Sequence, residues 1–195
     1  CGHLQMSLSL LASAPALTLP TGLAAAGLSA ASAFFIKRRA YENAVAAADL
    51  RAYLSMLPPA SPDAFQVQDT GTIKGQGLFA SAEFEPRTYL FDYTGEVLDE
   101  ATYQSRYPVG VGADYVVCVG GDTYIDGVDE SACTTKGRYM NHSRQPNCVC
   151  FTMEEPPRAL IFTGATTVAI GDELVWDYGE RYWRDRPADA EYAES

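Results

Sequence analysis

The segment "GRYMNHSRQPNC", Gly137–Cys148, places an arginine, an Asn-His pair, a serine and a Pro-Asn step close together. Burying so many side-chain donors and acceptors is unfavourable unless each of them finds a partner. The segment is therefore either an ordinary polar turn or a loop that holds a polar ligand in a pocket. The rest of the sequence has to distinguish these two interpretations.

The charge of the chain limits its partners. The formal net charge is −11, from 25 acidic and 14 basic residues. Direct nucleic-acid binding requires a stripe of basic residues. Because this chain is acidic, no direct binding of nucleic acid is expected. A basic partner such as a lysine-rich peptide suits this charge. The five cysteines form no regular framework, which predicts reduced thiols and an intracellular protein.

Residues 1–40 form a leader of a different composition. No charged residue occurs from Ser7 to Ile36, and the run "TGLAAAGLSAASAFFI" is followed directly by the basic Lys37–Arg39. Three interpretations stay open: a membrane anchor with a basic flank, a targeting segment, and a low-complexity leader with little structure. Membrane association through the leader is therefore one alternative for this chain.

A helix and a proline-rich linker are predicted over residues 41–64. In "YENAVAAADLRAYLSML", apolar residues recur at steps of three and four, and Pro58 and Pro59 end the pattern. A main domain is predicted over residues 65–187, followed by an acidic tail over residues 188–195.

The main domain is predicted to be mainly β with few short helices. Short β-branched and aromatic runs such as "TYLFDYTGEVL" and "RALIFTG" are separated by Gly, Asp and Pro. The stretch "VGGDTYI" predicts a hairpin turn, and "DEATYQSRY" predicts one short helix.

Three clusters contain the side chains suited to chemistry. "KGQGLFAS", Lys74–Ser81, is a glycine turn in which the backbone can approach a ligand. Asn141 and His142 offer several donors and acceptors. "GDELVWDYGERYW", Gly171–Trp183, surrounds aromatic rings with acids, as in a core cluster or a cage for a cation. Each cluster taken alone is better explained as ordinary structure.

Taken together, the motifs resemble the SET-domain family of protein lysine methyltransferases. "KGQGLFA", "DYTGE", "RYMNHSRQPN" and "DELVWDYG" follow in the family's order, from about Gln68 to Pro187. The resemblance implies a SET fold, in which the N-H-S segment threads through a loop in a knot-like manner. It also implies methyl transfer from S-adenosyl-L-methionine to a protein lysine. A non-catalytic SET-like module that binds a peptide is the alternative.

The resemblance implies a role for individual residues. Tyr178 is the expected catalytic residue, with Tyr93 beside it, and both line the channel for the target lysine together with Trp176. The residues expected to bind S-adenosyl-L-methionine are Lys74, Gly75, Gln76, Gly77, Tyr115, Arg138, Asn141, His142 and Trp183. For Trp183, simple packing is an equally good interpretation.

Three departures from the family pattern affect these expectations. Arg144 stands where the family often has a cysteine. No cysteine-rich segment follows the D-Y motif, so no metal site is expected. Trp176 occupies a position that usually carries Phe or Tyr and governs how many methyl groups are added, so the product is left open.

The resemblance also suggests partners and a location. The expected substrate is a lysine-bearing protein such as a histone tail, and the nucleus is the first expectation, with a membrane-anchored or organellar protein as the alternatives. An acidic cluster, Asp92, Glu96, Asp99 and Glu100, is either a surface for a basic peptide or a solvated turn.

Overall fold

The computed structural model describes residues 48–54, 56–109 and 111–184. Residues 48–58 belong to one compact unit, and residues 59–184 belong to a second. The first unit is helical at residues 48–54, here α1, and again at residue 56. The predicted leader, the start of the predicted helix and the acidic tail lie outside the described residues. Within the described part of the chain, every helix is too short or too polar to span a membrane.

The second unit consists mainly of short strands. Its ten strands are β1 (Phe65–Asp69), β2 (Gln76–Ala80), β3 (Tyr89–Tyr93), β4 (Glu96–Asp99), β5 (Val116–Gly120), β6 (Thr123–Asp126), β7 (Asn141–His142), β8 (Cys148–Met153), β9 (Arg158–Thr163) and β10 (Val175–Trp176). Its α-helices are α2 (Glu100–Arg106) and α3 (Glu180–Arg184), and single 3₁₀ turns span Pro62–Ala64, Glu130–Ala132 and Gly137–Tyr139.

The strands form four small sheets. β1 and β2 make an antiparallel hairpin, and two three-stranded sheets have the orders β3-β9-β8 and β4-β6-β5. The fourth sheet pairs β7 with β10, and it is parallel. These β-rich sheets with few short helices confirm the predicted fold class.

The predicted hairpin between β5 and β6 is present. Cys118 pairs with Tyr124 and Gly120 pairs with Thr123, with a register shift between the two pairs. Gly120 and Gly121 have φ angles of 136° and 49°. Only glycine takes such angles without strain, so the Gly-Gly step permits the reversal.

The predicted short helix is α2, and side chains fix both of its ends. The carboxylate of Asp99 accepts a hydrogen bond from the Thr102 amide at 2.8 Å, which caps the N-terminus. At the other end, Arg106 forms ion pairs with Asp126 at 2.7 Å and Glu96 at 2.8 Å. The helix is thereby held against the β4-β6-β5 sheet.

The acidic cluster has internal structural partners. Asp92 pairs with Arg158 at 2.7 Å, and Glu100 accepts a hydrogen bond from the Tyr124 hydroxyl. Glu96 and Asp99 hold α2 as described above. The structure thus gives all four carboxylates partners inside the fold, and a peptide-binding role for this cluster stays a prediction.

Apolar side chains from several sheets share one core. Leu78, Leu90, Ile161 and Leu174 are all fully buried in this core. Phe65 stacks on Phe84 with ring centroids 5.5 Å apart and meets Phe91 edge-on at 4.9 Å. Each such side chain stabilises the fold by about 1.5–3 kcal/mol through burial.

The cysteines differ from one another. Cys133, Cys148 and Cys150 carry free thiols, and Cys148 and Cys150 lie on β8, as expected for small strand residues. Burial raises the pKa of each of these two β8 thiols to about 12. Cys118 is disulfide-bonded, so the expectation of five reduced thiols is wrong at this position.

Candidate active site

The parallel pair β7–β10 joins the opening segment to the C-terminal motif. Asn141 lies opposite Val175 and His142 opposite Trp176 in the register. The Ser143 amide extends the pairing by donating to the Trp176 carbonyl at 3.1 Å. Two motifs that are far apart in sequence therefore meet at the centre of the domain. The knot-like threading expected for this region stays a prediction.

Asn141 links this junction to the glycine turn. Its amide nitrogen donates to the Gln76 carbonyl at 3.0 Å and to the Glu173 carboxylate at 2.7 Å. Protein groups therefore satisfy the Asn141 side-chain donor. Asn141, His142 and Ser143 are all buried. At these three residues the segment is therefore not an exposed polar turn.

Glycine is favoured for a different structural reason at each of the two glycine positions of "KGQG". Gly75 has a φ angle of 67°, which favours glycine. A Cβ at Gly77 would lie 2.6 Å from a carboxylate oxygen of Glu173, so a larger residue there would have to displace the carboxylate that binds Asn141. Beside this turn, the Lys74 ammonium donates to the His142 carbonyl at 3.0 Å.

His142 is fully buried between the glycine turn and the C-terminal motif. Its Nδ1 accepts a hydrogen bond from the Tyr178 amide at 3.1 Å. An Nδ1 that accepts places the proton of the neutral ring on Nε2. The Asp177 carboxylate lies 3.6 Å from the same nitrogen, and the Trp183 ring centroid lies 4.8 Å from the imidazole.

Tyr178 has a defined hydroxyl orientation. The hydroxyl donates to the Met140 carbonyl at 2.8 Å. The ring packs edge-on against Trp176 at 5.6 Å and against Tyr182 at 4.7 Å, while Trp183 lies nearly parallel to it at 6.2 Å. Four aromatic contacts, counting His142, therefore restrict the position of this phenol.

Tyr178 also lines an aromatic pocket, a name we keep for the surface formed by the following residues: Tyr93, Asp114, Tyr115, Val116, Val117, Arg138, Met140, Trp176, Tyr178 and Tyr182. The Tyr93 hydroxyl donates to the Tyr115 carbonyl at 2.8 Å. Burial raises the pKa of Tyr93 well above its ordinary value, so this phenol stays neutral at physiological pH.

The predicted site residues thus fall into two groups. Lys74, Gln76 and Asn141 are joined around the β7–β10 junction by hydrogen bonds. The predicted residues that line the aromatic pocket are Tyr93, Tyr115, Arg138, Trp176 and Tyr178. His142 connects the groups through its bond to Tyr178. Trp183 contacts the rings of His142 and Tyr178, so it belongs to the same cluster.

Three residues that the sequence analysis did not single out help to build the site. Met140 orients the Tyr178 hydroxyl, and Glu173 binds Asn141. Asn147 donates to the Glu173 carbonyl at 2.7 Å and accepts from the Val175 amide at 3.0 Å. The Pro-Asn step that contains Asn147 was a visible signal, because Asn side chains commonly bond to nearby backbone groups.

No group of three or more His, Cys, Asp or Glu side chains that could hold a metal occurs among residues 48–54, 56–109 and 111–184. The absence of a metal site therefore stays a prediction for the whole chain. The described site offers phenol hydroxyls, aromatic faces and backbone groups.

The family profile described as SET domain matches residues 75–179. The match covers more than half of the chain, and the chain belongs to the SET-domain family. The match begins within the glycine turn, at Gly75, and includes the opening segment and Tyr178, which confirms the resemblance seen in the sequence.

Curated relatives agree with this assignment. The chain is 31% identical over 119 residues to a histone-lysine N-methyltransferase, H3 lysine-36 specific, of Gibberella zeae. It is 33% identical over 119 residues to histone-lysine N-methyltransferase SETD2 of Mus musculus and of Homo sapiens. These alignments cover 57% of this chain, but only 12% of the fungal relative and 4% of the mammalian ones. The similarity is therefore confined to one domain of much longer proteins.

Proposed function

We propose that this domain transfers a methyl group from S-adenosyl-L-methionine to the side-chain amine of a protein lysine. The observation that carries the proposal is the fixed Tyr178 hydroxyl, bonded to the Met140 carbonyl at 2.8 Å, on the wall of an aromatic pocket. The names of the relatives support the same reaction class.

The chemistry of the side chains fits the cofactor. S-adenosyl-L-methionine supplies a methyl group attached to a positively charged sulfur, and the faces of Tyr93, Trp176 and Tyr178 suit a cation. Lys74 and Asn141 place a cation and an amide beside the glycine turn, where a carboxylate or an adenine edge can be recognised. Trp183 is only partly buried and offers a ring on which an adenine can stack.

Two buried donors provide a further test of this fit. The Trp176 Nε1 and the Arg138 Nε are buried and have no hydrogen-bond acceptor among the described residues. Both side chains belong to the lining of the aromatic pocket. Because buried donors normally have acceptors, a polar group bound in this pocket would satisfy them. The remaining proposed cofactor contacts are those of Gly75, Gln76, Gly77 and Tyr115.

The pocket must accept lysine as the neutral amine. Free lysine has a pKa near 10.4, so deprotonation at pH ~8 costs about 3 kcal/mol. An apolar aromatic channel lowers this cost, because desolvation disfavours the ammonium form. Tyr178 and Tyr93 then orient the amine, and alignment with the methyl group supplies much of the acceleration. No covalent intermediate with the protein is required.

The proposed substrate is a basic, lysine-bearing protein such as a histone. The net charge of −11 favours the approach of a basic chain, and the relatives are named as histone-lysine N-methyltransferases. With a histone substrate, the nucleus is the proposed location.

A methyl-transfer assay tests the proposal. The protein is incubated with S-adenosyl-L-methionine labelled in its methyl group and with core histones or another lysine-rich protein. We expect label on lysine and measurable binding of the cofactor by calorimetry. Binding of the cofactor or of the peptide without label transfer would favour the alternative, a non-catalytic SET-like module. Failure to bind the cofactor would contradict the proposed reaction.

A further inference from the structure

Of the residues that line the aromatic pocket, only Asp114 and Arg138 belong to types that are charged at neutral pH. Asp114 lies at the exposed rim, where its carboxylate is 3.5 Å from the Tyr182 hydroxyl. The Arg138 side chain is only 13% exposed. The pocket that is proposed to receive a lysine therefore contains a largely buried, permanent positive charge.

The local fold fixes the position of Arg138. Gly137 packs so closely on β3 that a Cβ there would lie 3.1 Å from the Tyr93 ring and 3.3 Å from the Phe91 ring. The next residue, Arg138, directs its guanidinium over the Tyr115 ring, 4.6 Å from the centroid. Its cation is consequently held beside the pocket wall formed by Tyr93 and Tyr115.

The charge of Arg138 is offset only in part. One guanidinium nitrogen is 3.4 Å from Glu130, whose side chain is 68% exposed and therefore screened by water. A second nitrogen donates to the Val128 carbonyl at 3.3 Å. The third, Nε, is buried without an acceptor among the described residues. Ordinary packing would not require a cation at this point in an aromatic pocket.

We propose that Arg138 promotes methyl transfer by making the target lysine easier to deprotonate. A fixed cation beside the bound amine disfavours the ammonium form and favours the neutral nucleophile. This inference depends on the proposed function. At roughly 8 Å and an effective dielectric constant of about 20–40, one positive charge lowers the pKa of the amine by about one unit.

Other ionisable groups near the pocket also affect the protonation of the bound lysine. Asp114 opposes Arg138, because its negative charge favours the ammonium form. Burial raises the pKa of the Tyr93 phenol well above its ordinary value, so this group is uncharged over the range to be measured. Around the guanidinium itself lie Asp129, Glu130, Cys133 and Tyr139. Burial raises the pKa of the Cys133 thiol, so this group is uncharged over most of the range to be measured.

The test is the pH dependence of single-turnover methyl transfer to a histone peptide at saturating S-adenosyl-L-methionine. In the wild type the rate rises with pH as the bound lysine loses its proton. We expect Arg138→Gln to move the midpoint of this rise upward by about one pH unit. Glu130→Gln should move the midpoint downward by a smaller amount, and Arg138→Lys, which keeps the charge, should match the wild type.

The opposite shifts distinguish an electrostatic role from a merely structural one. Loss of packing would lower the rate at every pH and leave the midpoint unchanged. Superimposable profiles for the wild type, Arg138→Gln and Glu130→Gln would overturn the inference while leaving the proposed function intact. A wild-type protein that transfers no methyl group would overturn both. If Arg138→Gln does not fold, the Glu130→Gln and Arg138→Lys profiles decide the question.

Discussion

At the scale of single residues, the hydrogen bond from Tyr178 to the Met140 carbonyl is the contact on which the proposed chemistry depends most. The hydroxyl is 2.8 Å from its acceptor, and the ring is confined by Trp176 and Tyr182. A phenol held in this way can orient an amine without acting as a nucleophile.

We expect Tyr178→Phe to reduce methyl transfer by about 100-fold or more, because it removes the only polar atom of the side chain at the reacting position. Cofactor affinity, measured by calorimetry, should stay within a few-fold of the wild type. Tyr89→Phe is the matched control, because this hydroxyl bonds to Asp92 outside the pocket. Equal turnover in the Tyr178→Phe and Tyr89→Phe variants would show that Tyr178 has no catalytic role.

Trp176 is the second residue with a distinct expected effect. Its ring packs edge-on against Tyr178 and lies 6.4 Å from the Tyr93 ring, so it occupies space on the channel wall. Trp176→Phe enlarges the channel, and we expect the variant to add more methyl groups per lysine than the wild type. Mass spectrometry of the product peptide measures this number. An unchanged distribution of mono-, di- and trimethylated product would remove Trp176 from the control of product multiplicity.

At the scale of elements, the parallel β7–β10 pair is too short to be stable through its backbone bonds alone. Asn147 supplies additional bonds to β10, because its amide donates to the Glu173 carbonyl and its side-chain oxygen accepts from the Val175 amide. One side chain therefore satisfies two backbone groups that flank Leu174, which is fully buried.

We expect Asn147→Ala to lower the free energy of unfolding by about 2–3 kcal/mol, since it leaves two backbone groups without partners. Urea denaturation followed by circular dichroism measures this loss. Asn147→Asp keeps the acceptor for Val175 but sets a carboxylate oxygen against the Glu173 carbonyl, so we expect a loss at least as large as that of Asn147→Ala. An Asn147→Ala variant as stable as the wild type would mean that β10 is held without this side chain.

The elements differ in how far the sequence predicts them. The β5–β6 hairpin and α2 follow from local signals, a Gly-Gly step and an Asp N-cap, which act within a few residues. The β7–β10 pair has no such signal. Its two strands are very short, and its partners are separated by more than thirty residues, so tertiary packing creates it. Only the order of the family motifs indicated that these segments meet.

At the scale of the whole molecule, the sequence predicts which side chains belong to the candidate site, but it does not predict which groups they contact. Tyr178, Asn141 and His142 were identified from motifs, whereas Met140 and Glu173 were not. Met140 acts through its backbone carbonyl, and a side-chain pattern does not report such a role. The partner of Asp92 likewise depends on β3 and β9 being neighbours, which brings Arg158 alongside it.

The buried cysteine thiol of Cys148 makes the stability of the whole domain depend on pH. Its side chain is 1% exposed, and burial raises its pKa from 9.0 to about 12. The unfolded chain loses this proton at lower pH than the folded protein does, so the unfolded state binds fewer protons between pH 9 and 12. Stability is therefore fully present below pH 9 and falls as the pH rises toward 12.

We expect the free energy of unfolding, measured by urea titration at successive pH values, to fall above pH 9. Cys148 should contribute a slope of about 1.4 kcal/mol per pH unit. Cys148→Ala removes the thiol and should flatten the alkaline slope by that amount, even though the variant is less stable at neutral pH. Cys150, whose pKa burial also raises to about 12, contributes a similar slope that remains in the Cys148→Ala variant. Tyr89 and Tyr107, whose pKa values burial raises to about 12, add to the slope only above pH 10. If Cys148→Ala and the wild type have parallel profiles between pH 9 and 10, the thiol does not couple folding to pH.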